Sequence, residues 1–247
     1  MASPCIFIYI LKKTIKSKIG RIKWGKYIFE FLSIFIAVVS AFALTNWNEN
    51  RNNRHSEQKI LIEIKNGIGI DKKDFEGNIM GHKLSLRANH LFRELLKGET
   101  IPQDSIDIYY TTLFRDYTPV INRSGYESLK ESGLKTISND SLRFQIIELY
   151  DYYYSILEIL DKVNEMQSFE NYFASINSLL HPYMDFDKEG NLIKIDQPKD
   201  LSETNRKEIL SYLWRLESNR AYKLKRYESI LKIMEKTKDN INLEIEQ

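Results

Sequence analysis

Four histidines (His55, His82, His90 and His181) and one cysteine, Cys5, are the side chains best suited to metal or nucleophilic chemistry. A hydrolytic zinc site needs two imidazoles one helical turn apart with an acid nearby, because both rings must reach the same ion. His82 and His90 lie eight residues apart. Two turns of helix separate them, too far to chelate one ion alone. The histidines are expected at surface or cap positions. A lone cysteine excludes an intrachain disulfide and a multi-cysteine metal site. "DFDKEGNLIKID", residues 185–196, carries the acids of a calcium loop, but its twelfth position holds Asp196 where such a loop ends on a bidentate glutamate. There is no glycine-rich phosphate loop and no nucleophile elbow. The residues predict no metal, no cofactor and no enzymatic chemistry.

Tyrosines form the next cluster. In "LYDYYYSILEIL", residues 149–160, Tyr150 and Tyr154 share one helical face, and Tyr153 and Leu157 another. Such rings could stack on a ligand, but their spacing fits the edge of a helical core better. Trp214, between Leu210 and Leu213 on an apolar face, reads the same way.

The remaining candidate is a carboxylate in an apolar setting. Tyr27 to Trp47, "YIFEFLSIFIAVVSAFALTNW", holds 21 residues and a single charge, Glu30. At ~1.5 Å per residue a helix of this length reaches about 30 Å, the thickness of a bilayer core. Trp24 and Tyr27 flank one end and Trp47 the other, as amphipathic aromatics at headgroup depth do. A buried soluble helix would show a more polar face than Ser33 and Ser40 supply. Ala41-Phe42-Ala43 resembles a signal-peptidase site, but the basic region before the run is about 27 residues long, unlike a short leader. An uncleaved signal anchor over residues 27–47 is expected. Glu30 sits one turn from Lys26, so an interfacial ion pair is one reading. A polar contact between subunits, or a group on an ion pathway, is the other.

Charge sets the expected orientation. Residues 1–27 contain seven Lys/Arg and no acid. Removing these seven from the chain's 36 Lys/Arg leaves 29 against 34 Asp/Glu, a net of −5. The basic character is therefore local, which argues against a nucleic-acid partner. The positive-inside bias places the N-terminus in the cytoplasm and residues 48–247 outside it. Residues 6–26 space Ile8, Leu11, Ile15, Ile19 and Ile22 among lysines, a basic amphipathic pattern suited to an anionic membrane surface.

Past the run, helical periodicity dominates. Ile60, Ile64, Ile68, Asp71, Phe75 and Ile79 step by threes and fours, with a bend or break expected among Gly67, Gly69, Gly77 and Gly81 and a stop at Gly98. Short helices are expected at about 103–115 and from a Ser124/Glu127 capping box to Glu131. A long helix capped by Asn139 or Asp140 should run to about 180, where Pro182 ends it. Residues 182–201 predict a polar connector with a small hairpin. A last helix, about 203–243, is apolar at Ile209, Leu213, Leu216, Leu224, Tyr227, Leu231 and Met234. The predicted fold is all-α: one N-terminal transmembrane helix, then an antiparallel bundle of long helices with short connecting ones.

Two stretches carry a family likeness. An acid early in the span followed by "NWNE", residues 46–49, resembles a bacterial family of single-pass membrane proteins of unknown function. Glu30 and Trp47 keep that family's seventeen-residue separation. "GYESLKESGLKTISNDSLRFQIIELYDYYY", residues 125–154, is similar to its second hallmark; within the span, by contrast, Phe29 and Ala37 stand where that family usually has glycine. The resemblance implies a bacterial inner-membrane protein with a periplasmic helical domain, and it brings no reaction. The expected role is a membrane-anchored interaction or sensing module; the alternative is an effector whose oligomerised spans make an ion path or perturb the membrane. Expected partners are the lipid bilayer and a second copy or another membrane protein. The candidate contact residues are Lys26, Glu30, Asn46, Trp47, Asn48 and Glu49.

Overall fold

A computed structural model describes residues 24–163 and 169–246. The expected amphipathic segment, residues 6–26, falls mainly outside these. The described chain is all-α apart from one small hairpin. Helix α1 spans Trp24–Lys97, α2 Ile106–Phe114, α3 Ser124–Ser132, α4 Asp140–Ile147, α5 Tyr154–Val163, α6 Phe169–Leu180 and α7 Glu203–Ile245. Strands β1 (Met184–Phe186) and β2 (Leu192–Ile195) pair antiparallel.

The chain divides into two units, at His55 and Ser56. The described part of the first is helical and exposed along its whole length. Hydroxyls within its apolar stretch find partners on their own helix. Ser33 Oγ donates to the Phe29 carbonyl (2.8 Å) and Thr45 Oγ1 to the Ala41 carbonyl (2.9 Å). Both therefore sit on an apolar helix without a missing partner.

In the second unit, α1 and α7 run antiparallel. Lys72 pairs with Glu235, Lys83 with Glu228 and Arg93 with Glu217, so partner numbers fall as α1 advances. Two apolar cores lie along this pair. One gathers Ile60 to Ile79 of α1 with Tyr126, Leu129, Ile146, Tyr150 and Tyr154 and with Tyr227 to Ile241 of α7. The other joins Ala88 to Leu96 with α2, with Tyr172 to Leu180, with Ile195 and with Ile209 to Leu216. Each fully buried Leu or Ile contributes roughly 1.5–3 kcal/mol.

Several expectations need correction. Helix α1 passes unbroken through all four of its glycines between residues 67 and 81. Two glycines instead make room for close neighbours. A Cβ on Gly81 would collide with the Tyr117 ring, and one on Gly125 of α3 would lie 2.6 Å from the Ile64 backbone nitrogen. The helix 140–180 is not one regular helix: a π-helical stretch, Glu148–Tyr153, separates α4 from α5. Ser124 is the first residue of α3, not its cap; Asn122 Oδ1 accepts from both its backbone N (3.1 Å) and its Oγ (2.7 Å). Trp214 is 59% exposed rather than core. It sits one residue past the buried Leu213, about 100° around α7 and so off the core line.

Other local signals act as read. Gly98 follows α1 with φ +91. Asn139 Oδ1 accepts from the Leu142 N–H (3.1 Å) and Ser202 Oγ from the Asn205 N–H (3.1 Å), capping α4 and α7. The hairpin turn consumes its own acid. Asp187 Oδ1 accepts from the backbone of Glu189 and Asn191, and Oδ2 from the Asn191 amide. These bonds hold the Asp187 carboxyl below its ordinary range.

Candidate functional site

The six candidate residues near the apolar run do not form one site. All are exposed on α1. Lys26 Nζ lies 3.8 Å from Glu30 Oε1, so the expected i,i+4 pair forms. Asn46, Trp47, Asn48 and Glu49 make a separate turn; seventeen residues put Trp47 about 25 Å along the helix from Glu30. There the Arg51 guanidinium stands 6.0 Å above the Trp47 ring. Among the described residues, one helix is long and apolar enough to cross a membrane, and none of its apolar window is buried. Among them, too, no three His, Cys, Asp or Glu residues are grouped to hold a metal.

The polar groups that do converge lie in the second unit, in the gap between its two cores. Along α7, the three-and-four spacing Leu216–Arg220–Lys223–Tyr227 places two cations on the core line. Arg220 and Lys223 are each 1% exposed. An apolar reading of the same helix passes instead through Leu224 and Leu231, which are only partly buried against the first core. The signal for the two cations is the unbroken spacing itself, which lands on Arg and Lys.

These cations hold the segment between α2 and α3, residues 115–123, "RDYTPVINR". Arg220 Nη2 donates to the Leu113 (2.8 Å) and Arg115 (2.9 Å) carbonyls at the C-terminal end of α2. The negative end of that helix supplies the partner that a buried guanidinium requires. Lys223 Nζ donates to both oxygens of Asp116 at 3.0 Å. Burial lowers the Arg220 pKa to about 10, leaving it charged at neutral pH.

Further along the segment, the Tyr117 carbonyl accepts from the Tyr227 hydroxyl (3.0 Å) and meets His82 Nε2 at 2.9 Å. A carbonyl only accepts, so Nε2 carries the proton. The unprotonated Nδ1 then faces Arg220 Nη1 at 3.5 Å. His82 is fully buried, not a surface or cap residue. Burial, with the Arg220 charge second, lowers its pKa to about 4.

The far end of the segment is held by carboxylates of α1. Val120 N donates to Asp74 Oδ2 (2.7 Å) and Asn122 N to Asp71 Oδ1 (2.8 Å). Asp71 Oδ2 also accepts from the Tyr154 hydroxyl (3.2 Å). Asp71 is fully buried, in keeping with its place on the apolar spacing. Burial raises its pKa to about 6 despite both hydrogen bonds. Beside it, Tyr126 stacks on Tyr150 with centroids 4.5 Å apart, and Tyr126 donates to Asp151 at 2.6 Å. The π-helical stretch leaves the Tyr150 carbonyl in contact with Arg123 Nη1 and Ser155 Oγ, both at 3.5 Å.

Tyr150 and Tyr154 are thus core, as their spacing suggested. The polar seam is an arrangement for holding backbone: its cations face carbonyls and Asp116, and its carboxylates face amides. The separate cleft bordered by Leu95, Glu99, Gln103, Lys194 and Gln197, about 510 Å³, has mixed charge and no buried acid–base pair. Comparison with known protein families, with curated proteins and with solved structures finds no match.

Proposed function

We propose that this chain is a single-pass membrane protein of the bacterial inner membrane whose helical domain works outside the cytoplasm as a non-enzymatic interaction or sensing module. The observation that carries this reading is the exposure of the apolar stretch. Phe29, Phe31, Ile34, Phe35, Ile36, Phe42 and Leu44 are each more than half exposed on α1. A soluble protein leaves so large an apolar surface uncovered only where something else covers it, and lipid fits a continuous helix with aromatic ends. The Lys26–Glu30 pair supports the interfacial ion-pair reading of Glu30. The likeness of residues 30–47 and 125–154 to single-pass proteins agrees with this assignment. A domain whose polar interior binds its own backbone suits holding a partner better than turning over a substrate.

Cysteine labelling tests the topology. In a Cys5→Ser background, an impermeant thiol reagent applied to intact spheroplasts should label Glu244→Cys and leave Lys16→Cys unlabelled until lysis. Labelling of Lys16→Cys alone would reverse the orientation. Recovery of both sites in the soluble fraction, or of a mature chain starting after Ala43, would remove the anchor.

A further inference from the structure

Away from the polar seam, the cleft of about 510 Å³ lies between two walls. One is the end of α1 with the loop after it, residues 95–103; the other is the end of β2 with the segment after it, residues 194–199. Two glutamine amides tie the walls together. Gln103 Oε1 accepts from the Ile195 N–H (3.0 Å), and its Nε2 donates to the Ile195 (3.4 Å) and Ile101 (3.2 Å) carbonyls. Gln197 Nε2 donates to the Gly98 carbonyl (2.6 Å). Asp196 N donates across the hairpin to the Tyr183 carbonyl (2.8 Å), so the backbone groups of Ile195, one residue earlier, point to the outer edge of β2. There the Gln103 carboxamide stands where the peptide group of a third strand would.

The remaining groups of the cleft are unmatched in a particular way. Leu95, Ile101 and Ile195 give it a buried apolar lining. Lys194 is committed to Asp196 at 2.6 Å. Glu99 on one wall and Lys199 on the other are exposed, and among the described residues neither side chain has an ion pair or hydrogen bond. The backbone N–H groups of Thr100, Ile101 and Gln197 find no acceptor among those residues either.

We propose that this cleft binds a short peptide with free ends and an apolar side chain, held as an extended backbone between the two walls. The ligand's ammonium group meets Glu99 and its carboxylate meets Lys199. Its carbonyls accept from the unmatched amides, and its side chain covers the apolar lining. One free acid and one free base on opposite walls match a zwitterion and not a polyanion. None of the described residues bordering the cleft is aromatic, so a nucleobase or sugar ring has no face to stack on. The volume falls in the range of small-ligand sites. This inference rests on the reading of the domain as an interaction or sensing module and names the ligand that it senses.

Calorimetric titration of the full chain in detergent micelles with alanyl-leucyl-alanine tests it. The tripeptide should bind saturably, and N-acetylation or C-amidation should each weaken binding by about three- to fivefold. Glu99→Gln should weaken the free peptide by a similar factor and leave the affinity for the acetylated one unchanged. Lys199→Gln should do the same with respect to the amidated one. Neither side chain holds another group, so both variants should fold as the parent does. The peptide site is overturned if the tripeptide does not bind, if leucine alone binds as tightly, if either variant leaves the free peptide's affinity unchanged, or if it weakens free and blocked peptides alike. Failure of binding with the cysteine-labelling pattern intact removes the peptide site and leaves the anchored module standing.

Discussion

Replacing Asp71 by asparagine should steepen the acid sensitivity of the whole bundle. The reasoning rests on two buried groups that pull stability in opposite directions. Asp71 has its pKa raised from 3.8 to about 6, so its contribution is full below 3.8 and declines as pH rises through 6. His82 has its pKa lowered from 6.5 to about 4, so its contribution is full above 6.5 and declines as pH falls through 4. At pH 5 the folded chain holds about 0.9 more proton on Asp71, and the unfolded chain about 0.9 more on His82. The two slopes cancel, and the pair leaves stability flat between about pH 4 and 6. The side chain introduced by Asp71→Asn keeps an oxygen for the Asn122 amide and does not titrate. The histidine then acts alone, and stability should fall by about 1 kcal/mol for each pH unit below 6. Above pH 7 the same variant should be more stable than the parent by roughly 1–2 kcal/mol, since it removes a buried charge whose cost nearby solvent partly screens. Urea titration of the full chain in micelles, followed by far-ultraviolet circular dichroism at pH 4.5, 5.5, 6.5 and 8, reads both effects from the midpoints. Parallel pH profiles for parent and Asp71→Asn would refute the antagonism. A loss of stability at pH 8 would show that the carboxylate is held by favourable bonds that outweigh its burial.

Two glycines of α1 should respond in opposite directions to alanine. Gly81→Ala must drive a methyl group into the Tyr117 ring and should cost about 1–3 kcal/mol. Gly77→Ala meets nothing within 4 Å and should add about 0.5–1 kcal/mol through helix propensity; matched thermal melts compare them. Asn139→Ala removes both the cap of α4 and a 2.6 Å bond to Glu244 of α7, and should cost about 1 kcal/mol. A unit-wide gain in amide exchange would follow that loss if α4 anchors the first core, whereas exchange confined to its first turn would limit the cap to a local role.

The sequence alone determined what local chemistry controls. The apolar length of residues 27–47 set a helix with aromatic ends, Asn139 and Ser202 set helix starts, and Gly98 set a stop. The three-and-four spacing even placed Asp71 on a buried line, because periodicity is read along one chain. Tertiary structure decided whatever required a second element. No local rule could show that Gly81 is spared a Cβ for Tyr117, thirty-six residues later, or that α1 would run unbroken where its glycines suggested a break. The same holds for Arg220 and Lys223. Their side chains alone predict solvent, and they are buried because the end of α2 and Asp116 arrive from elsewhere to accept their hydrogen bonds. His82 and Arg220 are 138 residues apart, and only the antiparallel meeting of α1 and α7 lets one bear on the charge of the other.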